Sequence, residues 1–181
     1  MRNGCGKIVT VALIADTHGC LDERVAEEIG SCDVVVHAGD IGNATVLEEL
    51  EPDRRQIVAV RGNNDVPSKW PSDQRAILDD LPSVYMLELP GGYLAVVHGD
   101  QQNPPSKRHH LLRQAFPDAH AVVYGHSHRL ACDTGQTPWI LNPGAAGRAR
   151  TYGGPSCLIL RARPKHWRVE AQRFAPERLT A

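Results

Sequence analysis

Three apolar, β-rich runs at residues 7–15, 33–38 and 57–60 constrain the fold of this chain most strongly. The first, KIVTVALIA, is almost continuously apolar, as expected of a strand buried on both faces. Between the first two runs, Leu21, Val25 and Ile29 recur at i, i+4 and i+8, a helical spacing. A second short helix is expected around Val46–Leu50, with Asn43 or Thr45 as its cap. Strand, helix, strand, helix, strand is the pattern of a largely parallel sheet, which forces α/β architecture.

Beyond residue 66 the pattern changes. A short helix is expected over Gln74–Leu81, then a hairpin of Val84–Leu89 and Tyr93–Val97 turning at Gly91-Gly92. A helix over Lys107–Phe116 would turn Leu111, Leu112 and Ala115 inward. Ala121–Tyr124 reads as another strand, and Ser156–Ala162 with His166–Phe174 as a closing antiparallel hairpin. No repeat or linker divides the chain, so residues 1–181 are expected to form one domain.

Each main apolar run ends in residues that can bind metal. The first ends in Asp16 and His18, the second in Asp40, and the third in Asn63. His98 follows the hairpin, and His126 and His128 follow Ala121–Tyr124 within Gly125-His126-Ser127-His128. In open α/β sheets, ligands gather beyond the carboxyl ends of the strands. This set offers imidazole nitrogen, carboxylate oxygen and amide oxygen without sulfur. It suits Mn, Fe, Ni, Co or Zn better than copper(I) or an iron–sulfur cluster. Seven ligands exceed what one tetrahedral ion needs, but suit two ions sharing a carboxylate. Two divalent ions would outweigh the two carboxylates and leave a positive site for an anionic phosphate.

The ordered motifs Asp-x-His, Gly-Asp, Gly-Asn, His-Gly and Gly-His-x-His resemble those of the calcineurin-like metallophosphoesterase superfamily. More narrowly, they are similar to its small single-domain phosphodiesterase branch. The likeness runs from Asp16 to Asn142-Pro143-Gly144, and the flanking strands extend it over almost the whole chain. It implies a four-layer α-β-β-α sandwich of two mixed sheets, with a dinuclear metal site at the carboxyl ends of the strands. It further implies that Asp16, His18 and His128 hold one ion, that Asn63, His98 and His126 hold the other, and that Asp40 bridges. Manganese is the first expectation for both ions. By the same likeness, a metal-bridging hydroxide would hydrolyse a small or nucleotide-like phosphodiester, the ions lying roughly 3.5–4 Å apart. A phosphomonoesterase on the same site is the alternative. So is a non-catalytic scaffold, as in the retromer subunit that resembles this branch, whose metal site is impaired at a motif His.

Two departures from the family pattern bear on chemistry. Many members carry His directly after the metal-binding Asn; here Asn64 stands there, followed by Asp65. Both are candidate catalytic residues, touching substrate or supporting the ligands. Without that His, the leaving group is expected to take its proton from water, favouring esters with acidic leaving groups. The second departure is Asp100, where several relatives carry another His. It is not assigned to metal and bears on substrate preference.

Other residues read more plainly. His37 is expected to be a buried structural imidazole, and Cys20 a packing residue at a helix start. Among Arg61, Lys107, Arg108, Arg129 and Arg148, the last is the first choice for a phosphate clamp, because it follows Asn142-Pro143-Gly144. Five scattered cysteines without a CxxC pair point to reduced thiols and a cytoplasmic protein. A net charge of −1 and nine Phe, Trp and Tyr residues argue against extended nucleic-acid binding or an anionic membrane surface. The expected partner is a small phosphodiester, and self-association into a homo-oligomer is left open.

Overall fold

The computed structural model describes residues 7–50 and 56–176. Among these residues, ten strands form two five-stranded mixed sheets. The first contains β1 (Val9–Ile14), β2 (Val34–His37), β3 (Gln56–Ala59), β9 (Ser156–Arg163) and β10 (His166–Arg173), in the order β10-β9-β1-β2-β3. The second contains β4 (Val84–Leu89), β5 (Gly92–Val97), β6 (Ala121–Val123), β7 (Ala131–Asp133) and β8 (Trp139–Asn142), in the order β4-β5-β6-β8-β7. β1, β2 and β3 run parallel, as do β5, β6 and β8.

Alternation along β1 explains the layers. Val11, Leu13 and Ala15 point into the core between the sheets, against residues such as Leu94, Val96, Val123 and Leu141. Ala12 and Ile14 point the other way, into a second core with Val25 and Ile29 of α1 (Glu23–Ile29). On the far face, α4 (Arg108–Ala115) buries Leu112 against Ala95, Val97, Val122 and Ile140. The expected four-layer α-β-β-α sandwich is therefore present. Two shorter helices, α2 (Ala44–Glu49) and α3 (Arg75–Asp80), close around Ile41, Trp70 and Leu78 at one flank.

Local chemistry sets several boundaries. Asp22 caps α1 by accepting from Arg24 N at 3.1 Å, and so starts that helix later than the apolar spacing alone suggests. Asn43, not Thr45, caps α2 by accepting from Val46 N at 3.2 Å. Ala115, expected inward, is exposed, because α4 reaches the sheet chiefly through Leu112. β7 and β8 had no expectation: Ala131-Cys132-Asp133 is not an apolar run, and the three apolar residues of β8 stand between Pro138 and Asn142-Pro143, which read as loop. Cys5 lies outside the described residues.

Candidate metal centre

Parallel pairing brings the carboxyl ends of β1, β2, β3, β5 and β6 to one edge of the sandwich. All seven expected ligands lie there. Backbone bonds stitch their loops together: Asp16 N donates to Gly39 O at 3.0 Å, His18 N to Asp40 O at 2.9 Å, and Gly125 N to His98 O at 3.1 Å. The packing leaves no room to spare. A Cβ added at Gly62 would collide with both Oδ1 and the backbone N of Asp40.

Two overlapping clusters result, Asp16 with His18 and His128, and Asp16 with Asp40 and His98. Nε2 of His18 lies 3.2 Å from Nε2 of His128, which lies 3.5 Å from Asp16 Oδ1. Asp40 stands between the groups, with Oδ2 3.9 Å from His18 Nε2 and Oδ1 3.4 Å from His98 Nε2. Asn63 Oδ1 lies 3.1 Å from His98 Nε2 and 2.9 Å from His126 Nδ1. His98 Nδ1 donates to Ala38 O at 2.9 Å, which orients the ring and leaves Nε2 facing Asp40 and Asn63.

Backbone strain concentrates at the same place. Asp16, His18, Asp40, His126 and His128 all have φ between 48° and 63°, the left-handed region. Each such non-glycine residue costs of order 1–2 kcal/mol, which the surrounding loop contacts must offset. Arg150, with φ 53°, is the remaining non-glycine residue of this kind among the described residues.

The electrostatics suit cations. Asp16 is fully buried, and one of its oxygens, Oδ2, has no hydrogen-bond partner. An orphaned buried carboxylate oxygen is costly in a bare protein and natural in one that binds metal. Burial, with a contribution from the charge on Asp40, pushes the Asp16 carboxyl up to about 7. For Asp40, burial also acts upward, but hydrogen bonding and charge from His98 and donors from Asn64 hold the carboxyl well below the usual range. Burial lowers His18 and His126, and takes His128 down to about 4 with help from Arg150 and His18. These rings are therefore neutral at pH 7, the form that ligates metal.

Asn64 and Asp65 lie directly behind the ligands. Asn64 N and Nδ2 donate to the two oxygens of Asp40 at 2.8 and 2.7 Å, while Lys69 Nζ holds Asn64 Oδ1. Asp65 is buried and accepts from Ile41 N, Gly42 N, Gly62 N and Trp70 Nε1, joining the Asp40 loop to the Asn63 loop. His37 is a buried structural ring: Nε2 donates to Thr17 Oγ1 at 2.8 Å, and Nδ1 accepts from Gly39 N at 3.2 Å. Cys20 stays outside the cluster, with Sγ 3.9 Å from Leu21 O.

Two contributions were not anticipated. Asn142 Nδ2 donates to Gly125 O at 2.8 Å and Ser127 Oγ at 3.0 Å, fixing the loop that carries His126 and His128. Its place in Asn142-Pro143-Gly144 was the available signal. Arg148, the first choice for a phosphate clamp, turns away toward Glu23 at 3.9 Å. Arg150 instead reaches the cluster, its Nη2 3.1 Å from His18 Nε2. The only sequence signal was its place in the same glycine-rich stretch.

A cavity of about 670 Å³ opens beside Asn63 and His98, with Arg61, Asp100, Gln101 and Phe116 among its walls. Another of about 330 Å³ lies between Leu47, Ile57 and Tyr85, away from every ligand. Only the first borders candidate ligands.

Oxygen and nitrogen donors in two overlapping sets, at the strand ends of a double-sheet sandwich, form a candidate metal site of the kind found in hydrolases. The chain belongs to the calcineurin-like phosphoesterase superfamily, whose domain model matches residues 9–165. Among its relatives, a probable metallophosphoesterase of Methanocaldococcus jannaschii is 28% identical over 146 residues, covering 77% of this chain and 69% of that protein. A phosphodiesterase of the same organism is 29% identical over 170 residues, covering 87% and 96%. The fold is also that of wild-type Vps29 from Entamoeba histolytica, solved in complex with zinc. That structure has a TM-score of 0.72 at 16% identity, covering 93% of this chain and all (100%) of the other.

Proposed function

We propose that the protein is a dinuclear metal-dependent phosphodiesterase acting on a small, nucleotide-like diester. The observation that carries this reading is the unpartnered Oδ2 of fully buried Asp16, set among the imidazoles of His18, His98 and His128 near a cavity of about 670 Å³. That volume lies in the range of small-ligand sites, roughly 300–1,000 Å³. In this reading Asp16, His18 and His128 hold one divalent ion, Asn63, His98 and His126 the other, and Asp40 is shared. Manganese is the ion to test first, with nickel, iron, zinc and cobalt behind it. When bound, such a pair supplies Lewis acidity and an activated water at neutral pH.

The remaining residues position and admit. Asn64 pins both oxygens of Asp40, and Asp65 fixes the two loops that present Asp40 and Asn63. The cavity takes one arm of the diester, where Asp100 and Gln101 favour an arm rich in hydrogen-bond donors. No imidazole follows Asn63, so the departing oxygen is protonated by solvent, and rates fall as the leaving group becomes more basic. Cys20, Cys132 and Cys157 are free thiols, which supports action in a reducing cytoplasm.

The test compares a chromogenic phosphodiester with its monoester, using metal-stripped protein and then added Mn, Ni, Zn or Mg. Metal-dependent diester cleavage, lost in His126→Ala and Asp40→Asn, is the expected result. A monoester preference would replace the diester reading. Two bound ions with no turnover under any metal would favour the scaffold reading instead.

A further inference from the structure

The segment between β8 and β9 crosses directly over the loop that carries His18. Ala146 N donates to Ala15 O at 2.8 Å, and Asp22 N donates to Ala146 O at 3.0 Å. Gly147 then lies so close to the β1–α1 loop that an added Cβ would run into Thr17 O and come within 2.8 Å of Cys20 O. With its entry fixed this way, the segment delivers Arg150 above the metal cluster. Its Nη2 lies 3.1 Å from His18 Nε2, which is 3.2 Å from His128 Nε2.

Arg150 stands apart from the arginines that are held in ion pairs. Arg24 pairs with Asp22, Arg113 with Asp133, Arg148 with Glu23, and Arg161 and Arg168 with Glu170. Arg150 pairs with no carboxylate among the described residues. It directs its guanidinium at groups that would surround two divalent cations, an arrangement that is repulsive unless an anion lies between. The backbone pays for this placement with a left-handed φ of 53° at a non-glycine residue.

The residue that could have served the phosphate from the other side is already committed. Both nitrogens of Asn64 donate to Asp40, and its oxygen is held by Lys69. Neither His18 nor Arg150 lines the cavity beside Asn63 and His98, which leaves the His18 side for the phosphoryl oxygens themselves. A planar guanidinium offers parallel N–H groups that match two oxygens of one phosphate.

We propose that Arg150 is a catalytic residue that grips the non-bridging oxygens of the scissile phosphate from the His18 side. The inference rests on the phosphoesterase reading of the site. As charge on those oxygens shifts toward the transition state, a fixed guanidinium stabilises it without reorganisation.

The test uses the full chain loaded with Mn, as wild type, Arg150→Ala, Arg150→Lys and Arg148→Ala. Inorganic phosphate is titrated calorimetrically, and kcat and KM are measured on the chromogenic diester. Arg150→Ala is expected to weaken phosphate binding at least about tenfold and to lower kcat/KM by roughly 10³-fold. Lysine restores part of both, added guanidinium rescues the alanine variant, and bound Mn is unchanged. Arg148→Ala behaves as wild type. Phosphate affinity and turnover of Arg150→Ala within twofold of wild type would overturn the proposal, as would a loss fully explained by lost metal. If the wild type turns over no ester, the phosphodiesterase reading fails, and the phosphate titration alone decides the role of Arg150.

Discussion

Asp65 is the residue on which the two halves of the site hang, and its removal has a calculable cost. Its Oδ2 accepts from Ile41 N at 3.1 Å and Gly62 N at 2.8 Å, and its Oδ1 from Gly42 N at 3.0 Å and Trp70 Nε1 at 3.1 Å. The side chain is 4% exposed, so water cannot readily replace it. Asp65→Ala strands four donors, each costing about 1 kcal/mol at the low end, for a loss of about 4 kcal/mol. That is a large share of the roughly 5–15 kcal/mol that holds a typical domain together. Asp65→Asn replaces one oxygen by NH₂ facing two N–H groups, and is expected to cost about 3 kcal/mol. Urea unfolding of metal-stripped protein measures both, read as a shift in midpoint at constant slope. Adding Trp70→Phe removes one stranded donor, so the double variant should recover about 1 kcal/mol relative to additivity. A loss below about 1 kcal/mol in Asp65→Ala would refute the reasoning, because it would mean the four N–H groups find other partners.

Three further outcomes follow from the same geometry. Gly62→Ala should abolish metal-dependent cleavage of the chromogenic diester, because the new Cβ meets both the carboxylate and the backbone N of Asp40 and forces that residue to move. Asn142→Ala should weaken metal affinity about 10–100-fold, measured by Mn titration, because it frees the Gly125 carbonyl and Ser127 that hold the two-histidine loop. His37, wholly buried, is pushed by burial down to about 4. The unfolded chain therefore takes up a proton near 6.5 while the folded one does not. The corresponding stability is complete above pH 6.5 and is lost as pH falls to 4, amounting to about 3 kcal/mol. Comparing the pH slope of wild type with that of His37→Gln isolates it, and equal slopes would refute it.

Much of this molecule was legible in the sequence for one reason. A strand in a parallel sheet has a fixed direction, so residues just past Ala15, Ala38, Val60 and Val123 had to meet at one edge. His98 joined them because β5 runs parallel to β6. What escaped was set by contacts distant in sequence. β7 and β8 lack a clear apolar run of their own; β8 pairs with the edge of β6, and β7 with β8. Which arginine faces the histidines escaped too: Gly147 packs on Thr17 and Cys20, and Arg150 rather than Arg148 lies beside His18. The left-handed φ of five ligands was equally hidden, because Asp and His adopt it there only under the pull of neighbouring loops. Asp65 could be recognised as a candidate from its place after Asn63-Asn64, but its four donors come from Ile41, Gly42, Gly62 and Trp70.

Asp16, His18, Asp40, Asn63, His98, His126 and His128 are proposed to hold two metal ions, and stoichiometry decides it. Metal-stripped protein is titrated with Mn and the bound ions are counted at saturation. Two per chain are expected, falling to one in His126→Ala, with Asp40→Asn weakening both. Saturation at one ion or none in the wild type would contradict it.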